Sequence, residues 1–236
     1  MNESESTRSR AFLEDYYRRT LSQGGSAMTG QLTDAFQATL ETAHADRSER
    51  DCHFYHTLEF PDGSVIPGGW DLRGRERAYL GWVDVRGRRV LDVGPATGHL
   101  GFYMEGQGAE VTAFDVAPGM VQNLLPQAGS DLDANQASGA AFAEQVRNSW
   151  WLGRRRHGSR ARAVYGDIEV LPADMGRYDI AFLCSVLLHL ANPFAALRQV
   201  AAVADRGVVV TDVAPPLLYG GEAGAVVEFN PGEEPG

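Results

Sequence analysis

The chain contains no lysine: all 21 basic residues among its 236 are arginine. That absence removes a Walker-type phosphate lysine, a Schiff-base lysine and a lysine nucleophile from the available chemistry. Cysteine is nearly as scarce. Cys52 and Cys184 give no disulfide framework and fit free thiols in a reducing compartment, so the cytoplasm is the expected location. No stretch approaches the roughly 18 apolar residues of a membrane span. The polar, acidic start from Met1 to Thr7 is no secretory signal. Excess positive charge is missing too. A formal net charge of −10 argues against nonspecific nucleic-acid binding, which rests on counterion release by a basic surface. Cys52, His53 and His56 lie together but have no fourth ligand nearby, so no metal is expected.

What the chain does have is the ordinary content of a globular protein, 44% hydrophobic and 22% charged. Its length suits one large α/β domain with an appendage. The most informative stretch runs from Val90 to Asp115. An apolar strand enters the Gly-rich turn Gly94-Pro95-Ala96-Thr97-Gly98, a short helix follows to Gly108, and a second apolar strand ends in Asp115. This is half of a nucleotide-binding sheet, with Asp115 placed to receive the paired hydroxyls of a ribose. A dinucleotide fingerprint G-x-G-x-x-G would put its middle glycine at Ala96. Asp92, two residues before Gly94, repels a pyrophosphate and suits a cationic head. A sulfonium bearing an α-amino group fits, and a nicotinamide-dependent oxidoreductase is disfavoured.

At this point Leu91-Asp92-Val93-Gly94-Pro95-Ala96-Thr97-Gly98 resembles the first motif of class I S-adenosylmethionine-dependent methyltransferases, commonly L-D-V-G-C-G-T-G, with Pro95 and Ala96 as departures. The resemblance implies an α/β, Rossmann-like, mostly parallel sheet and S-adenosylmethionine as cofactor. It implies a cofactor site built from Asp92, Gly94, Ala96, Gly98, Asp115 and Val116. Asp167 and Ile168 would take the adenine, and Cys184 and Ser185 the methionine part. His189 would face the acceptor as general base, a role for which a histidine near pH 7 is suited. The segment 53–71 resembles the arm ahead of the sheet in methyltransferases similar to the tRNA wobble-uridine carboxymethyl-transfer family, W-x-H-T-I-x-L-x-D-G-x-x-T-P-G-x-x-D. By that likeness Tyr55, His56 and Trp70 line the substrate side. Neither tRNA nor a carboxylated cofactor is carried over, given the missing lysine and the acidic balance.

Around this centre the pattern predicts two amphipathic helices before residue 47, parted by Gly24-Gly25, and a strand or extended arm over 53–60. Turns follow at Pro61-Asp62-Gly63 and Pro67-Gly68-Gly69, then an Arg-rich helix near 73–82. The expected domains are an N-terminal helical and arm region over 1–85 and a cofactor-binding domain over 86–236, with a helical insert at 120–160. Phe142, Val146 and Trp150 mark a helix over 134–156, stopped by Gly158. Arg154, Arg155, Arg156, Arg160 and Arg162 either contact an anion or RNA or complement that helix end, and the second reading is favoured. Further strands are expected at 161–165, 178–184 and 208–213, with a helix starting at Asn192-Pro193.

Only 23 residues would follow the last strand, too few for the closing helix and hairpin of the resembled fold. Strand 208–213 is then an open edge that invites a homodimer or partner chain, unless a short strand at Val226-Val227 covers it. The sequence thus points to methyl transfer to a small-molecule acceptor. Its rivals are a weakly catalytic cofactor-binding subunit that needs a partner, and a tRNA-modifying methyltransferase.

Overall fold

The computed structural model describes residues 3–22, 29–120 and 132–212. Five strands form one parallel sheet: β3 (Arg89–Val93), β4 (Glu110–Val116), β5 (Arg162–Gly166), β6 (Tyr178–Cys184) and β7 (Ala204–Thr211). Their order is β5-β4-β3-β6-β7, and every neighbouring pair runs parallel. The chain steps outward from β3 to β5, then returns to the far side of β3 with β6. The order therefore reverses between β3 and β6, and a crevice opens at the carboxyl ends of those strands. Both faces are covered, as the near-continuous apolar strands require. On one face Val90 and Phe182 meet Met104, Trp150 and Leu152. On the other, Leu91, Val93, Phe114 and Leu183 pack with Val200.

The crossovers are α4 (His99–Gly106), α5 (Leu132–His157) and α6 (Pro193–Val203). Asn192 caps α6 by accepting the Ala195 N–H, with Pro193 in the first helical position, as the sequence suggested. No helix among the described residues is long and apolar enough to cross a membrane.

Two N-terminal helices, α1 (Glu3–Ser22) and α2 (Asp34–Ala43), join the same core as the sheet through Leu13, Tyr17, Phe36 and Leu40. Between and within them stand two buried glutamines. Gln31 donates to the Tyr165 carbonyl at 2.7 Å and accepts the Tyr165 N–H at 3.0 Å. Gln37 repeats this with Ala163, at 2.6 and 3.0 Å. Each side-chain amide thus supplies one donor and one acceptor to the outer ladder of β5. No backbone polar group of Ala163 or Tyr165 is left unpaired there.

Of the two forms expected for 53–60, the extended arm is the one seen: only β1 (Leu58–Glu59) is regular, pairing antiparallel with β2 (Val65–Ile66), and His56 bridges Trp70. The Arg-rich helix expected near 73–82 is one turn, α3 (Glu76–Tyr79), because Gly74, Gly81 and Trp82 all take positive φ around it. The last strand begins earlier than 208, at Ala204, after a register irregularity opposite Tyr178 and Ile180, and ends at Thr211. Among the described residues β7 is the second edge of the sheet; Val226 and Val227 lie outside them.

The arginines at the end of α5 turn inward. Arg154 donates to the Ala161 carbonyl at 2.8 Å, and Arg155 to the carbonyls of His44 and Arg47 at 3.2 and 2.8 Å. Arg156 reaches the Ser64 hydroxyl at 2.6 Å and lies 3.8 Å over the Phe60 ring. They tie α5 to α2 and the arm. Replacing all three with alanine is expected to cost about 2 kcal/mol, or roughly 4–8 °C in a melting curve. Ligand affinity measured by calorimetry should stay unchanged.

Candidate functional site

The crevice at the end of β3 begins with Asp92, which is only 2% exposed. Its Oδ2 has no hydrogen-bond partner among the described residues, and a Cβ added to Gly101 in α4 would stand 2.8 Å from it. Burial, helped by the charge of Asp115, pushes the Asp92 carboxyl up to about 7. A buried acceptor without a donor is costly, so its persistence calls for an explanation.

The turn after β3 is strained and crowded. Ala96 sits at φ 48, a left-handed conformation that costs an alanine about a kilocalorie or more. Gly98 sits at φ 89 with its N–H on the Pro95 carbonyl at 2.8 Å. A Cβ there would fall 2.5 Å from the Phe102 ring and 2.8 Å from Trp150. Gly94 donates its N–H to the Phe114 carbonyl at 2.8 Å, and the Val186 side chain closes over it. The turns after β3 and β6 therefore touch.

Asp115 and Val116 end β4 beside that turn. Asp115 accepts the Val116 N–H at 2.8 Å; burial raises its carboxyl, and the Arg147 charge opposes that rise. Arg147, from α5, donates to the Val116 carbonyl at 3.1 Å and lies 5.0 Å over the Tyr165 ring. A cavity of about 10 Å³, room for one water, lies between Asp115, Arg147, Tyr165 and Pro95. At the end of β5, Asp167 accepts the Glu169 N–H at 2.8 Å, and Ile168 packs half-buried on the sheet.

The end of β6 brings Cys184 and Ser185 to the crevice. Burial and the Asp92 charge push the Cys184 thiol up to about 12, so it stays protonated. Ser185 has φ 56, and its N–H donates to the Thr211 carbonyl at 2.7 Å. Its hydroxyl shares a 2.7 Å hydrogen bond with the Tyr79 phenol rather than standing free for a ligand. Tyr79 is itself held by the Thr211 hydroxyl on its carbonyl at 2.7 Å. His189 ends a short 3₁₀ turn, Leu187–His189, and donates its backbone N–H to the Val186 carbonyl at 3.0 Å. It is half-buried, and its ring makes no hydrogen bond among the described residues.

The arm brings Tyr55, His56 and Trp70 together. Trp70 donates its backbone N–H to the Tyr55 carbonyl at 2.9 Å, Thr57 donates to the Trp70 carbonyl at 2.8 Å, and the Tyr55 ring stands edge-on to His56. His56 meets the Gly-rich turn at the buried Thr97, whose hydroxyl lies 3.1 Å from the His56 N and 3.2 Å from Nδ1. The Trp70 side chain is 58% exposed, so it does not pack under the arm.

Four contributors were not legible beforehand. Arg147 and Tyr79 are described above. His99, the first residue of α4, lies with its Nε2 3.2 Å from a Glu76 carboxylate oxygen, both side chains nearly buried. The contact has the distance but not the direction of a hydrogen bond. Burial lowers the His99 ring below the usual imidazole range, against the pull of Glu76. The position of His99 directly after Gly98 was a usable signal. Glu76, Tyr79 and Arg147 sit far from the turn in sequence and gave none.

The family described as Methyltransferase domain matches residues 71–222. No curated protein matches the chain. Among solved structures, a protein from Pyrococcus horikoshii is similar at 15% identity and TM-score 0.41, over 59% of this chain and 55% of that one. The magnesium protoporphyrin IX methyltransferase of Synechocystis, with bound S-adenosylhomocysteine, is similar at 19% and 0.37, over 57% and 52%. An amino pentose methyltransferase from Micromonospora echinaspora is similar at 18% and 0.36, over 78% and 58%. The chain spans about half the length of the first structures it matches.

Proposed function

The chain belongs to the methyltransferase-domain family, and from that premise we propose that it moves a methyl group from S-adenosylmethionine to a small-molecule acceptor. One observation carries the cofactor reading. Asp92, just before the Gly-rich turn, keeps a buried carboxylate oxygen without a donor among the described residues, packed against Gly101, a group whose charge a cationic ligand at the turn would compensate. The turn holds Gly94, Ala96 and Gly98 at positive φ, a tight loop of the kind that lets a backbone approach a ligand closely. S-adenosylmethionine supplies a methyl group on a positively charged sulfur, an electrophile that needs in-line alignment rather than activation.

The residues of the chain then divide the remaining work. Asp115 takes the ribose hydroxyls, and Asp167 and Ile168 border the adenine. Cys184 and Ser185 shape the wall behind the amino-acid part, with the Ser185 hydroxyl acting through Tyr79. Holding donor and acceptor in line supplies much of the rate. Where the acceptor must lose a proton, His189 is the proposed base, its ring without a hydrogen bond among the described residues. His189→Ala should lower turnover about 100-fold or more while S-adenosylhomocysteine affinity holds; equal turnover of the two proteins rejects the role. Calorimetry of the wild type against S-adenosylhomocysteine and NADH tests the cofactor itself. Heat with the first alone supports the reading, and heat with NADH alone overturns it.

The arm from His53 to Asp71 keeps a likeness to the tRNA wobble-uridine subfamily in view. The inward-turned Arg154–Arg156 and the net charge of −10 favour a small acceptor over tRNA. The edge strand β7 favours a second copy or partner chain as a further component, and sizing chromatography at micromolar concentration checks it. The cytoplasm remains the proposed location.

A further inference from the structure

Resting on the cofactor reading above, we propose that His56 is a neutral hydrogen-bond donor, fixed by Thr97, that holds the carboxylate of the cofactor's amino-acid tail. One buried hydroxyl decides which ring nitrogen carries the hydrogen. Thr97 is fully buried, and its oxygen accepts the backbone N–H of His56 at 3.1 Å. A hydroxyl has a single proton, and a buried one needs an acceptor. The acceptor within reach is His56 Nδ1 at 3.2 Å. If Nδ1 instead carried the hydrogen, the Thr97 proton would be left unpaired in the interior. The neutral ring therefore keeps its hydrogen on Nε2, which has no protein partner among the described residues.

Such a ring is a poor base. Nε2 is already protonated, and protonating Nδ1 would turn the Thr97 hydroxyl against a second donor. Burial also lowers the ring to about 4, with a smaller push from His99, so it stays neutral at physiological pH. What it offers is a fixed N–H beside the turn, the use to which a neutral imidazole is suited when it must donate.

A carboxylate is the matching group. The tail of S-adenosylmethionine is a zwitterion, and the neighbourhood of the turn holds one element of each kind: the buried Asp92 carboxyl, which favours the ammonium by its charge, and the His56 N–H for the carboxylate. The first amides of the eight-residue α4 reinforce the second, since a helix start attracts negative charge. There is no lysine, Arg147 is held by the Val116 carbonyl and the Tyr165 ring, and Arg73 by Asp71 and Glu59.

The test compares S-adenosylhomocysteine with methylthioadenosine, which keeps the adenosine and sulfur but lacks the amino-acid tail. For His56→Ala, calorimetry should show S-adenosylhomocysteine affinity reduced about 10- to 100-fold, with methylthioadenosine affinity unchanged. His56→Gln, which can still donate from a similar position, should recover most of the loss. Unchanged S-adenosylhomocysteine affinity overturns the assignment, and so does an equal loss for both ligands, which marks a purely structural role. Nitrogen-15 spectra should show the Nε2–H tautomer from pH 6 to 8 in the wild type; an Nδ1–H tautomer overturns it independently of binding. A wild type that binds neither ligand removes the cofactor reading itself, an outcome distinct from these.

Discussion

Asp92→Asn should raise the melting temperature at pH 8 and weaken S-adenosylhomocysteine binding at least 10-fold. The carboxyl goes from 3.8 in the unfolded chain to about 7 in the fold. Folding therefore favours its protonated form, and the sign follows. Below about pH 4 the group carries no penalty in either state. As pH rises from 4 to 7 the unfolded chain loses the proton while the folded one retains it, so stability falls. Above 7 the full penalty is in place. A shift of that size corresponds to at most about 4 kcal/mol. Because the asparagine amide brings donors of its own to an apolar site, a net gain of about 2 kcal/mol is the reasonable expectation. Melting curves at pH 5 and pH 8 check it, with the gap between variant and wild type widest at pH 8. Parallel pH profiles of the two proteins would refute the account.

The binding half of that result comes from the same oxygen. A cationic ligand group would draw the proton from Asp92, so wild-type affinity should strengthen as pH rises through 7. Binding should also release protons, detectable by calorimetry in buffers of different ionisation heat. The Asp92→Asn protein, whose amide does not titrate, can do neither. Stability and function then trade against each other at a single position.

Gly68→Ala should break the arm while leaving the sheet intact. A Cβ at this position would overlap the carbonyl group of His56 and the N of Thr57, which are backbone atoms and cannot rotate aside. Relief requires moving the strand that carries the Thr57 to Trp70 and Trp70 to Tyr55 hydrogen bonds, and the 3.0 Å bond from Gly68 N–H to the Thr57 hydroxyl. A loss of about 2–4 kcal/mol is expected. Limited proteolysis should find new cleavage within residues 50–70, and far-ultraviolet circular dichroism should be nearly unchanged. The displaced His56 would also leave Thr97, so the tail-dependent part of ligand affinity should fall with it. Full protease protection in the variant would count against the close approach.

The legible and illegible parts of this chain divide by sequence distance. The unit from Arg89 to Val116 is local: strand, turn, helix and strand follow without interruption, and apolar runs with glycines announced each of them. Asp92 was visible as one acidic residue too many. That its oxygen lacks a donor was not visible, because the helix turn it faces, at Gly101, is defined by packing. The arm's turns were legible from Pro61-Asp62-Gly63 and Pro67-Gly68-Gly69. Between strand and extended arm the pattern could not choose, and the backbone bonds from 54–57 to 69–70 use an extended chain without a regular ladder. Ser185 follows β6 directly, but the hydroxyl that engages it comes from Tyr79, 106 residues earlier. No periodicity encodes a pairing of that kind. Of the arginine run, Arg154, Arg155 and Arg156 lie in the last turn of α5, as the favoured reading had it, whereas Arg160 lies beyond the helix and Arg162 opens β5. Their partners in α2 and the arm emerged only from the fold.

Gln31 and Gln37, bonded to the outer backbone of β5, have a consequence for how this protein can be dissected. Side-chain amides there occupy the positions that a sixth strand would take. A version of the chain cut behind α2 would strip them away and leave Ala163 and Tyr165 as a bare template in a β-prone, apolar segment. Removing the first two helices would then do more than shorten the molecule: it would license fibre-like growth from a border that the intact chain keeps sealed.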